Sequence, residues 1–156
     1  MQRRAEPLRF LAVRLHQPEI GEIARRPGVN AVYRVTIQYH EGRHPDQVAT
    51  LVCMQDSTAV LTVAYRRAKP TVLTYQMAAD RCRELDSMLR QIGFDGLDDQ
   101  PDLPLLGVDF WLIERAAGSY LHDVVLAPAL AEGPYAALAA AVQTHLRQAV
   151  RAIRTD

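Results

Sequence analysis

The sequence predicts an α+β fold: a single antiparallel sheet of about five to six strands with two long helices packed on one face. Three observations predict it. Residues 31–40 alternate with period two, Tyr33, Val35, Ile37 and Tyr39 against Arg34, Thr36, Gln38 and His40, the mark of a half-buried strand. Two later segments carry apolar stripes at helical spacing. Between these segments stand short β-rich runs separated by turn residues, an order of strands, helix, two strands and helix that fits helices lying on an antiparallel sheet.

Each element has its own warrant. Residues 8–15 are apolar enough for a first strand, stopped by His16-Gln17-Pro18. An irregular connector with room for one short helical turn follows and closes at Pro27-Gly28. After the strand at 31–40, Glu41-Gly42-Arg43 makes a turn, and 47–54 and 59–65 form a hairpin across Gln55-Asp56-Ser57-Thr58. Ala78, Cys82, Leu85, Leu89 and Ile92 then step by four and three, a helix with Thr74 as the candidate cap and Gly93 as its stop. Residues 95–107 read as an acidic loop. Residues 109–116 and 120–126 form a second hairpin around Ala117-Gly118-Ser119. A last helix starts at Pro134, a favoured first helical position, and runs to about 154 along the stripe Tyr135, Leu138, Val142, Leu146, Ala149 and Ile153. No composition break divides the chain, so one domain spanning 1–156 is expected.

Composition narrows the function classes. The 18 basic and 18 acidic side chains cancel, which removes the electrostatic footprint of a nucleic-acid binder. No apolar run approaches the ~20 residues of a membrane span. The N-terminal stretch lacks a signal peptide's apolar region, so a cytoplasmic location is expected, with Cys53 and Cys82 buried as unpaired thiols. Seventeen arginines to one lysine, with 22 alanines, suggest a GC-rich bacterial genome. Charge is uneven along the chain: residues 1–40 carry a net of +4 and residues 94–132 a net of −7.

The segment His40-Glu41-Gly42-Arg43-His44 spells the zinc-protease signature H-E-x-x-H. That chemistry needs a helix, because only helical pitch places both histidines and the glutamate at one metal. Here the segment ends a strand, contains Gly42 and is followed by Pro45, all against a helix. A His-rich turn is therefore expected; only a metal-binding or hydrolase alternative would make ligands of His40 and His44 with Glu41 beside them. A second cluster, Glu114, His122 and Asp123, holds raw material for acid–base work, yet alternation points His122 and Asp123 to opposite faces. His122 is expected to be structural. The acids Asp95, Asp98, Asp99 and Asp102 lack the spacing of a calcium loop. No nucleophile elbow, C-x-x-C pair, dinucleotide fingerprint or P-loop is present. Trp111, Tyr120 and His122 are the candidate ligand or interaction residues, since aromatic side chains of this kind serve interfaces.

The run Asp109-Phe110-Trp111-Leu112-Ile113-Glu114, then Gly118-Ser119-Tyr120-Leu121-His122-Asp123-Val124, then Pro134-Tyr135 and the Leu138/Val142 helix, resembles small bacterial α+β domains of unknown function. The layout is also similar to emfourin-type inhibitors of thermolysin-like metalloproteases. That resemblance, over roughly 31–154, implies a protease-inhibitor or immunity-like protein. The residues themselves point to a non-catalytic binding or interaction module without cofactor, its partner an unknown protein or small ligand. A sheet with helices on one face leaves the other open, a surface on which a homodimer could form.

Overall fold

A computed structural model describes residues 4–155. Six strands form one antiparallel sheet: β1 (Val29–Gln38), β2 (Gln47–Met54), β3 (Ala59–Tyr65), β4 (Thr71–Met77), β5 (Phe110–Ala117) and β6 (Tyr120–Leu126). Their spatial order is β4-β3-β2-β1-β5-β6, so the alternating strand read at 31–40 sits near the centre. Among the described residues, four helices accompany them: α1 (Ala5–Arg14), α2 (Ile20–Ala24), α3 (Arg81–Ile92) and α4 (Pro134–His145).

The helices divide between the two faces. Leu85 and Leu89 of α3, with Leu138 and Val142 of α4, share one buried cluster with Tyr33, Val35, Ile37, Leu51, Leu61 and Ile113. On the opposite face Leu8, Leu11 and Ala12 of α1 pack on Val48, Leu112 and Val125. Ile20, Ile23 and Ala24 of α2 pack on Val32 and Ala116. The expected open face is thus covered by α1 and α2, which removes the reason given above for a face-to-face dimer. Arg34 and Thr36 accordingly lie buried where alternation alone suggested solvent.

Four local expectations are corrected. The segment read as a strand belongs to the helix Ala5–Arg14: Ala5, Leu8, Leu11 and Ala12 form the inner stripe, while Phe10 and Val13 stay 53% and 59% exposed and blur the period. Thr74, read as a helix cap, lies inside β4, where Tyr75 and Met77 pack against the α3/α4 cluster while Val72 and Leu73 stay exposed. The last helix ends at His145; Leu146 and Ala149 still reach the core through a tight turn, and the tail to Thr155 carries no regular secondary structure. The thiols are not free. Cys53 on β2 and Cys82 on α3 form a disulfide with Cα atoms 6.2 Å apart. The α3 stripe that buries Leu85 and Leu89 brings Cys82 over the end of β2. Closing a loop across a separation of 29 residues contributes about 3–4 kcal/mol in the chain-entropy account.

Other signals hold as read. Gly93 ends α3 at φ 79°, a left-handed position that favours glycine. Gly118 and Ser119 alone join β5 to β6, with Ala117 opposite Tyr120 and Gly118 at φ 58°.

Candidate functional site

Strand register builds a polar row across the α1/α2 face. Thr74, Thr62, Thr50, Arg34, Glu114 and Asp123 are successive cross-strand partners from β4 to β6. In the row two residues toward one end, Val48, Leu112 and Val125 form the apolar floor of α1, with Thr36 buried among them. The row two residues toward the other, Val52, Val32 and Ala116, is the floor of α2. A cleft lined by both helices opens above the middle row, and Arg9 of α1 reaches down over it.

The floor of that cleft is charged yet hidden from bulk water. Arg34, Glu114 and Asp123 are only 3%, 5% and 7% exposed. Arg34 is held firmly: its Nε donates to Thr50 Oγ1 at 3.0 Å, and one terminal nitrogen donates at 2.8 Å to the carbonyl of Pro18, in the α1–α2 connection. The direct cationic partner of the two carboxylates is a different residue, Arg9 of α1, which pairs with Asp123 and approaches Glu114 at 3.6 Å. Its side chain remains 35% exposed. Burial pushes the Glu114 carboxyl above its usual range, opposed by the charges of Arg34 and Arg9. Burial likewise lowers the Arg34 guanidinium, with Glu114 pulling it back. The cavity above this floor measures about 460 Å³, within the size range of small-molecule sites. Ala12, Val13, Ile20 and Leu121 give it apolar walls, and Glu19, Glu22 and Arg25 line it as well.

The residues marked from sequence are distributed differently. Glu114 and Asp123 belong to the cleft. His122 points to the other face: its Nε2 lies 2.9 Å from the Leu97 carbonyl, and its ring meets Phe94 edge-on at 5.2 Å. Trp111 is buried in the α3/α4 cluster at 6% exposure and offers nothing to a surface partner. Tyr120 is 40% exposed, with the Arg115 guanidinium 5.3 Å above its ring.

Residues 40–44 form bends and a turn rather than a helix. His40 places Nδ1 2.7 Å from Asp109 Oδ1, and its Nε2 lies 3.6 Å from Glu41. His44 turns Nδ1 to the Ile153 carbonyl at 2.9 Å and packs against Tyr39. Thr155 donates to the carbonyls of Gly42 and Arg43, so this turn holds the C-terminal tail. Among the described residues no group of three or more His, Cys, Asp or Glu side chains is placed to hold a metal ion.

The acidic loop also has a structural task. Asp99 accepts the Val125 N–H and Gln100 accepts the Ala127 N–H, while the Gln100 N–H donates to the Val125 carbonyl. Arg34 and Arg9 are the cleft residues that sequence reasoning missed. The two-residue loop at Gly118-Ser119 implies the Glu114–Asp123 pairing, but no local signal gives the partnership of Arg34 with Glu114 across β1 and β5. No protein-family model matches the chain, and no curated protein matches it.

Proposed function

We propose that this chain is a non-catalytic binding module whose ligand sits in the cleft between α1 and α2 and presents a guanidinium or ammonium group to Glu114 and Asp123. One observation carries the reading: two adjacent buried carboxylates take their direct ion pair from a helix-borne arginine that is itself one-third exposed. A ligand cation that displaces Arg9 exchanges one ion pair for another, and the carboxylates stay compensated throughout. Arg34, latched to Thr50 and Pro18, stays in place and keeps the floor from carrying two uncompensated negative charges. Val13, Ile20 and Leu121 suit a short apolar portion beside the cation.

The chemistry supports binding rather than turnover. Glu114 and Asp123 both serve as charge partners, and the nearest histidine in sequence, His122, faces away from them. The Cys53–Cys82 disulfide supports work in an oxidising compartment rather than the reducing cytoplasm expected from sequence.

The test is an amide NMR titration with butylguanidinium, butylammonium and pentanoate. The two cations should shift α1, Glu114 and Asp123 resonances, and Asp123→Asn should weaken them by roughly 10-fold or more, the worth of one charged hydrogen bond. Equal binding of pentanoate, or shifts confined to residues outside the cleft, would contradict the proposal.

A further inference from the structure

The two edges of the sheet are treated differently. At β6 the C-terminal end is engaged by Asp99 and Gln100, which bond to Val125 and to Ala127 just beyond the strand, and Asp123 places a charge within it. At the other edge β4 pairs only with β3 among the described strands. Its seven residues, Thr71–Met77, contain no charge, no proline and no glycine, and they pair with β3 one-to-one without a bulge. Charge, proline and bulges are among the devices by which proteins guard an open edge, and β4 has none of the three. Val72 and Leu73 are 54% and 38% exposed on its two faces.

We infer that β4 is a homodimer interface, pairing antiparallel with β4 of a second copy about a two-fold axis at Thr74. The sequence of the strand is self-complementary in that register. Leu73 falls opposite Tyr75 twice, an aliphatic–aromatic pair of the kind that stabilises sheets; Val72 faces Gln76, Thr71 faces Met77, and Thr74 meets itself. No charged residue opposes a like charge within the strand. Beyond it, Lys69 of one copy falls opposite Ala79 of the other, next to the acidic Asp80. An isologous contact of this kind closes on itself and leaves no further edge at β4, while Asp99 and Gln100 engage the C-terminal end of β6. The product is a continuous twelve-stranded sheet, six from each copy, with both α1/α2 clefts on the same side of it.

Sedimentation velocity over a concentration series tests this with wild type, Thr74→Lys, Thr74→Glu and an equimolar mixture of the two variants. Thr74 is exposed, so both variants should fold, which thermal melts verify. Wild type should dimerise, and each single variant should dimerise at least roughly 10-fold more weakly because like charges meet at the axis. The mixture should recover a dimer through the opposite charges. A wild type that stays monomeric, or a dimer indifferent to both substitutions, would overturn the inference. A monomer whose outward β4 amides resist hydrogen exchange would also overturn it, and would assign the edge to another segment of the chain. The cleft residues are untouched in all four samples, so failure here leaves the binding proposal standing.

Discussion

The two faces of the sheet are built from the same strands by opposite rules. Under α3 and α4, Tyr33, Val35 and Ile37 follow one another without a polar interruption and merge with Leu85, Leu89, Leu138 and Val142 into one apolar layer. Under α1 and α2 the apolar contacts fall into two clusters, and the row between them holds Arg34, Glu114 and Asp123. Buried charge is poor value for stability, since a well-packed apolar replacement is commonly as stable or more so. Charge kept at the middle of one face, beneath a cavity, is the contrast on which the proposed recognition role rests. The other face supplies the rigid support.

The largest expected effect is at Arg34. Arg34→Met leaves Glu114 short of a compensating charge and Pro18 and Thr50 without their donor, and should cost about 3–5 kcal/mol in urea unfolding. Adding Glu114→Leu should restore most of that loss while abolishing cation binding. If the double variant were as unstable as the single one, the row would be structural and the contrast between the faces would fail.

On the closed face Leu85→Ala and Val142→Ala, each at 1% exposure, should lose roughly 2–4 kcal/mol with no effect on ligand affinity. Stability curves and titrations on the same variants check both halves of the statement.

The smallest effect is a pH dependence. Burial holds the folded Glu114 carboxyl above the usual 4.5, so between those two values the native state binds more protons than the unfolded one. Its contribution to stability is full at low pH and falls as pH rises through the folded value. The difference in unfolding free energy between wild type and Glu114→Gln should therefore decline with rising pH across that window. Asp46, also raised by burial, is common to both proteins and cancels. A difference that grows with pH would mean that Arg9 and Arg34 outweigh desolvation.

The sequence disclosed elements whose periodicity one packed face controls. β1, the β2–β3 and β5–β6 hairpins and α3 were readable from alternating or β-rich apolar runs bounded by turns, or from apolar residues at three and four, although β1 proves to be buried on both faces. α1 was not, because Phe10 and Val13 add apolar residues to its outer side. β4 carries the alternation Leu73, Tyr75 and Met77 against Thr74 and Gln76, but the helical stripe that begins at Ala78 masks so short a run. The disulfide joins residues that only the docking of α3 brings together. Half of the site was visible: Glu114 and Asp123 drew notice as carboxylates, but His122 was their neighbour in sequence while Arg34 and Arg9 are their neighbours in space. Cross-strand register between β1 and β5, more than seventy residues apart, is a property of the whole sheet.

The most direct test of a ligand-accessible face is to observe the two arginine side chains during binding. Arginine Nε–Hε resonances, assigned through Arg9→Lys and Arg34→Lys, can be followed by NMR as butylguanidinium is added. The account predicts that the Arg9 signal moves toward that of a solvated arginine as the ligand takes its place on Asp123 and Glu114, while Arg34, fixed to Thr50 and Pro18, keeps its position. An Arg9 signal unmoved at saturation, or an Arg34 signal that moves in its stead, would contradict it.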